Sequence, residues 1–320
     1  MLSSWLSANW IMYRKALAFG RLLRLPCSRA VQAAPGFFKK IAAFFVALFQ
    51  LFGALIFDWP TTPDGPPIDM SRFELVWSDE FDGASLDKNI WSGHYIWQRD
   101  GYQRSAGWWD MDHVKVEGGN LVITADYRDT GPSATGFYAS GIDTTPGSGQ
   151  YYGGAGYEQL YGYFETRCIL TGKDGMNAAF WLLCEGMFQN NSSGVGGSEI
   201  DVFETKTDLT GKEKRYKDSV FHTIHVGGYD NPNHKNQNLG HFYAVNPTQE
   251  YNTYGVEWNE NEYIFYINGQ ETARTTFAGP SQVPMYLIFS LIVDENAKKE
   301  QMPAEFVIDY VRAYQYKELI

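Results

Sequence analysis

The chain changes character near residue 60. Residues 41–57 form one uncharged, mostly apolar run, and no sustained 3.6-residue periodicity follows it. Instead, short runs that alternate apolar with polar residues, or are rich in Val, Ile, Phe and Tyr, recur between Gly, Asn, Asp and Pro punctuation. Residues two apart on a strand share a face, so such runs read as strands that bury one or both faces. Their spacing predicts an all-β jelly-roll sandwich of two curved antiparallel sheets with a groove on the concave face. The absence of a fixed internal period excludes a propeller or solenoid.

Four segments result. Residues 1–36 are basic and acid-free, and read as an extension upstream of the native start. Residues 37–57 read as a signal anchor or signal peptide, giving an N-terminal hydrophobic helix outside the domain. The run is at the short limit of a membrane span, and no small-x-small cleavage site follows, which favours an uncleaved anchor. The basic residues before it would stay in the cytoplasm and place the domain outside the cell or on its surface. Residues 58–72 are proline-rich and read as a semi-rigid linker; residues 73–320 form the domain.

Within that domain, Glu199-Ile-Asp-Val-Phe-Glu204 concentrates chemistry. On a regular strand Glu199 and Asp201 share a face and Glu204 takes the other. One residue bulged out at Val202-Phe203 brings all three acids to one surface, and bulges often re-aim side chains beside active sites. Clustered carboxyls raise one another's pKa, which keeps one protonated near neutral pH while another is ionised. Glycosidic bond cleavage with retention uses such a pair, one carboxylate as nucleophile and one carboxyl as acid. A solvated strand face with alternating charges is the plain alternative.

Together with segments 74–82, 118–123, 161–167, 179–183, 222–228, 254–258, 264–269 and 307–314, in their order along residues 73–316, this motif resembles glycoside hydrolase family 16, the laminarinase and lichenase family. The form Glu-Ile-Asp-x-x-Glu is that family's bulged variant. The resemblance implies a concanavalin-like sandwich, with Glu199 as nucleophile, Asp201 as its assistant and Glu204 as general acid/base. It also implies a possible structural calcium held by Glu80, Gly118 and Asp309, whose oxygens suit a hard cation; no cofactor is required for catalysis. Two departures flank the expected cleft: Met176-Asn177, where relatives commonly carry an aromatic or proline, and the long glycine-rich loop 186–197.

The 10 Trp, 21 Tyr and 21 Phe residues supply a core and sugar-stacking faces alike. Trp97, Trp108, Trp109, Tyr157 and Trp181 are the candidate substrate contacts, whereas Trp77, Trp91 and Trp258 read as core. Trp181 alternates with Leu183 beside the acids. His225 is positioned to meet the acids or a sugar hydroxyl, and His222 should face the opposite way. No Cys/His spacing suits zinc, and Cys168 and Cys184 are out of register for a disulfide, so buried free thiols are expected.

Charge then narrows the partner. Residues 1–57 hold seven basic residues and no acid, leaving 19 basic and 37 acidic residues beyond. That excess argues against nucleic acid, and against sulfated galactans unless the groove has a local basic patch. The expectation is a monomeric, retaining endo-β-glucanase acting on neutral β-1,3- or mixed β-1,3/1,4-glucan. A galactanase of agarase or carrageenase type, a transglycosylase, and a carbohydrate-binding lectin are the alternatives.

Overall fold

In the computed structural model, Leu121, Ile123 and Ala125 alternate into the core along one strand, and Phe306 and Ile308 meet them from its neighbour. This period-2 burial builds two sheets. Residues 59–93, 100–146, 155–189 and 192–320 are described; the stretch 1–36, the run 41–57, Cys27 and Trp97 lie outside them. Among the described residues the helices are short 3-10 turns, and none is long and apolar enough to cross a membrane.

The strands in chain order are β1 (Phe73–Asp79), β2 (Gln103–Arg104), β3 (Gly107–Trp109), β4 (Val114–Glu117), β5 (Asn120–Arg128), β6 (Gly136–Ala139), β7 (Gly141–Asp143), β8 (Glu158–Gln159) and β9 (Gly162–Ile169). They continue with β10 (Met176–Leu183), β11 (Glu199–Thr205), β12 (Ser219–Val226), β13 (Lys235–Tyr243), β14 (Asn252–Trp258), β15 (Tyr263–Ile267), β16 (Gln270–Thr275), β17 (Met285–Val293) and β18 (Ala304–Tyr316). One sheet runs β13-β12-β11-β10-β17-β7, with β8 also on β17; the other runs β16-β15-β14-β9-β18-β5-β6-β3-β2, with β1 on β18 and β4 on β5. Pairing is antiparallel throughout except for β3 with β6. The expected two-sheet sandwich is therefore the observed one.

Aromatic side chains from both sheets lock the core. Phe203 of β11 packs on Tyr254 of β14 and Phe306 of β18, with ring centroids 4.5 and 6.1 Å apart. Phe289 of β17 bridges Phe180 and Phe306. Each fully buried ring contributes roughly 2–3 kcal/mol of transfer free energy, so the inward face of β11 is fixed where its outward face carries the acids. Cys168 and Cys184 are free and buried, and burial pushes both thiols up.

Residues 59–72, expected as a spacer, instead run along the domain. Thr61 exchanges backbone hydrogen bonds with His241 and Tyr243, at 2.9 and 2.8 Å. Gly65, Pro66 and Ile68 then bond to Glu271 and Gly269. The segment thus covers β13 and β16, the terminal strands in the two sheet orders, whose open backbone groups would otherwise seek partners. Arg72 ends it in a two-pronged ion pair with buried Glu257, at 2.8 and 2.7 Å.

Candidate active site

β11 carries the three acids, and its register shows how they come to share a surface. Asp201 pairs with Thr223 of β12 and Glu204 with Phe221, so one extra residue is accommodated between them. A matching shift lies between Phe180 and Trp181 on the β10 side. Val202 and Phe203 are consecutive yet both fully buried. Glu199, Asp201 and Glu204 consequently project together, above Leu183, Trp181 and Ala179 of β10. The cleft over Glu199 measures about 680 Å³ and is lined by Arg104, Trp181, Leu183, Phe188 and the turn 228–231.

Burial sets the electrostatics. It pushes all three carboxyls upward alike, each to about 8, and the Asp201 charge adds to the rise at Glu199 and Glu204. Three charges side by side, two of them buried and Glu204 half-buried, would repel, so the trio holds protons at neutral pH. Local partners offset part of that rise at both glutamates. Glu199 has the His225 ring nearby and accepts a hydrogen bond from the Tyr229 hydroxyl, and both favour its ionised form. Glu204 accepts from the Asn177 amide at 3.2 Å. His225 sits 3.3 Å from Asp201 through Nε2 and 3.1 Å from His234 through Nδ1. One atom of each of Glu199, Asp201 and His225 lies within 4.8 Å of the others. A polarised carboxylate beside a protonated carboxyl, open to a cleft, can attack and protonate across a glycosidic bond.

Comparison with known proteins decides the family. The family model described as "Beta-porphyranase A-D, GH16 domain" matches residues 74–316. The chain belongs to glycoside hydrolase family 16. Among family 16 relatives and neighbours, it is 27 % identical to glucan endo-1,3-beta-glucosidase A1 of Niallia circulans, over 79 % of this chain and 39 % of that protein. It is 26 % identical to keratan-sulfate endo-1,4-beta-galactosidase of Sphingobacterium multivorum, over 76 % of this chain and 55 % of that protein. The chain therefore spans well under two thirds of either relative. SCLam, a non-specific endo-beta-1,3(4)-glucanase, shares the fold with a TM-score of 0.64, at 22 % identity over 81 % of this chain and 98 % of that one.

The family 16 scaffold places the candidate substrate residues unequally. Trp181 lies on the acid-bearing face and donates its indole N–H to Ser290 at 3.2 Å. Trp109 packs beside it in a buried cluster with Leu183, Tyr286 and Ile288, and is a support beneath the cleft. Trp108 stands on the other face of β3, over Gly136. Tyr157 stacks on Trp77 at 4.3 Å and packs against the core, so it serves packing where a sugar platform was expected. His225 meets the acids, while His222 is buried between Phe242 and Phe265, its basicity lowered by burial to about 4. Trp91 and Trp258 are core, as expected.

Tyr229, His234, Asn177 and Arg104 escaped the reading of the sequence as site residues. Asn177 was visible as a departure from the family pattern, and its role follows from the β10 register. The other three sit on turns or a two-residue strand, where no periodicity marks them.

Glu80, Gly118 and Asp309 do not fit a calcium ion. Arg312 grips both oxygens of Glu80, at 2.9 and 2.8 Å, and Arg167 pairs with Asp309 at 2.5 Å. A dication would face two guanidinium groups already neutralising its ligands.

Proposed function

We propose that the chain is a retaining endo-β-glycanase, most simply a glucanase cutting β-1,3- or mixed β-1,3/1,4-linkages. The bulged β11, which brings Glu199, Asp201 and Glu204 to one face with Glu199 at an open cleft, is the observation that carries this reading. Glu199 attacks the anomeric carbon as the bond to the leaving oxygen breaks, and the proton of Glu204 goes to that oxygen. Water then gives its proton to Glu204 and attacks the same carbon, releasing Glu199. Asp201, between them, screens and orients the nucleophile. The cleft is open to solvent, which favours internal cuts and admits the water that hydrolysis needs; capture of the intermediate by a second sugar would make it a transglycosylase. A lectin has no use for three acids aimed together.

A galactan is the second reading, favoured by the porphyranase description of the matching model. Arg104 at the cleft wall gives an anionic sugar one local cation. The apolar run 41–57 would hold the domain at the cell surface.

Release of reducing ends from laminarin, mixed-linkage glucan, agarose and carrageenan separates these readings. Cleavage of either glucan supports the first, and cleavage of a galactan alone selects the second. Glu199→Gln and Glu204→Gln should each abolish release while leaving the folded domain intact. Turnover near wild type in either variant would remove the assigned roles.

A further inference from the structure

Beyond its hydrogen bond to Glu199, Tyr229 has a specific placement. Its residue surface is 49 % exposed at the cleft wall, while its hydroxyl reaches inward to Oε1 of Glu199. Gly227 and Gly228, both in the left-handed region at φ 88° and 72°, turn the chain so that Tyr229 points back over β11. The ring leans on His225 and His234, at 5.4 and 5.0 Å between centroids. Those two imidazoles are themselves stacked, with 5° between their planes. A wall of three rings therefore aims the hydroxyl.

The two oxygens of Glu199 differ as a result. Oε1 is held by Tyr229, whereas Oε2 is buried and has no hydrogen-bond partner among the described residues. We propose that Tyr229 is a positioning residue that holds the Glu199 carboxyl in place through Oε1 and offers its exposed ring as a sugar-facing wall of the cleft. The inference rests on Glu199 being the nucleophile. Burial and the Glu199 charge push the Tyr229 hydroxyl far above its ordinary range, so it remains a neutral donor wherever the enzyme works. Glu199 is faced by Asp201 and Glu204 of its own strand, His225 of β12, Tyr229 and Asp230 of the following turn, and Arg104 across the cleft. Tyr229 is the group among these that binds it through a hydrogen bond in the structure.

The test is Tyr229→Phe in the full chain, on whichever of the four polysaccharides the wild type cleaves. A hydrogen bond to a charged group is lost, so kcat should fall about ten- to a hundred-fold. KM should change little, and the acid limb of kcat/KM should move to higher pH, because an unassisted Glu199 ionises less readily. Tyr229→Ala should raise KM as well, since the ring is gone. Wild-type kcat with an unmoved acid limb in Tyr229→Phe would overturn the inference. Carboxyl-carbon NMR of glutamate-labelled protein reads the same point without substrate. A Glu199 midpoint that rises in Tyr229→Phe supports the inference, and one that stays put overturns it, whereas an inactive wild type overturns only the functional reading.

Discussion

Asn177 marks how finely single side chains divide labour among three acids. Its amide donates to Glu204 and to the Thr205 carbonyl, at 3.2 and 2.9 Å. A donor of this kind stabilises the ionised carboxylate, so Asn177→Ala should raise the pKa of Glu204 further. Glu204 must be protonated to act as the acid, and its burial-raised pKa of about 8 places the alkaline limb of kcat/KM near there in the wild type. Activity is thus expected to fall as pH rises through about 8. In Asn177→Ala that limb should move to higher pH; a shift to lower pH, read from the rate profile, would contradict the assignment. The acids themselves were legible in the sequence because Ile200, Val202 and Phe203 fix which side faces the core. Tyr229 was not legible, since two glycines and a turn stand between it and the last strand position, and turns carry no burial period.

At the level of elements, alternation revealed the strands that have one wet and one dry face. It gave little warning of β17, where Met285–Val293 is apolar almost throughout. Phe289 and Leu291 face the sandwich core, while Tyr286 and Ile288 lie under Trp109 on the other side, so both faces are covered and the period vanishes. Lys235–Tyr243 hid for the opposite reason: its first four residues are exposed on both sides. The segment 59–72 read as a linker because prolines suit a spacer equally well as an edge that makes few ladder bonds. Its hydrogen bonds to β13 and β16 give it a stabilising role. A chain beginning at residue 73 should unfold several degrees below one beginning at residue 59, as each lost bond costs about 0.5–1.5 kcal/mol. Arg72→Met alone should cost about 1–3 kcal/mol by leaving the Glu257 carboxylate buried without its cation, less than for a fully buried pair because Arg72 is partly exposed. Thermal unfolding of the three proteins checks both figures.

For the whole molecule, the contrast between an acidic domain and its cleft decides what can approach. Beyond residue 57 acids outnumber bases by 37 to 19, so a polyanion meets a repulsive field at long range that a neutral glucan does not. Cleavage of a neutral polymer should be nearly indifferent to ionic strength. Any cleavage of a sulfated galactan should rise several-fold as salt shortens the screening length from ~30 Å at 0.01 M to ~8 Å at 0.15 M. Salt-independent cleavage of a sulfated polymer would mean that local cations such as Arg104 outweigh the global charge. Fold and acid-bearing strand were readable from residue pattern; the substrate was not, because it depends on turns and long-range charge that periodicity does not encode. Central to the account is retention at the anomeric carbon through Glu199, and proton NMR of the reducing end in the first moments after cleavage tests it most directly. Initial release of the β-anomer, drifting later to the equilibrium mixture, is the predicted result. Initial release of the α-anomer would contradict it, because a single inverting displacement would then replace the two steps assigned to Glu199 and Glu204.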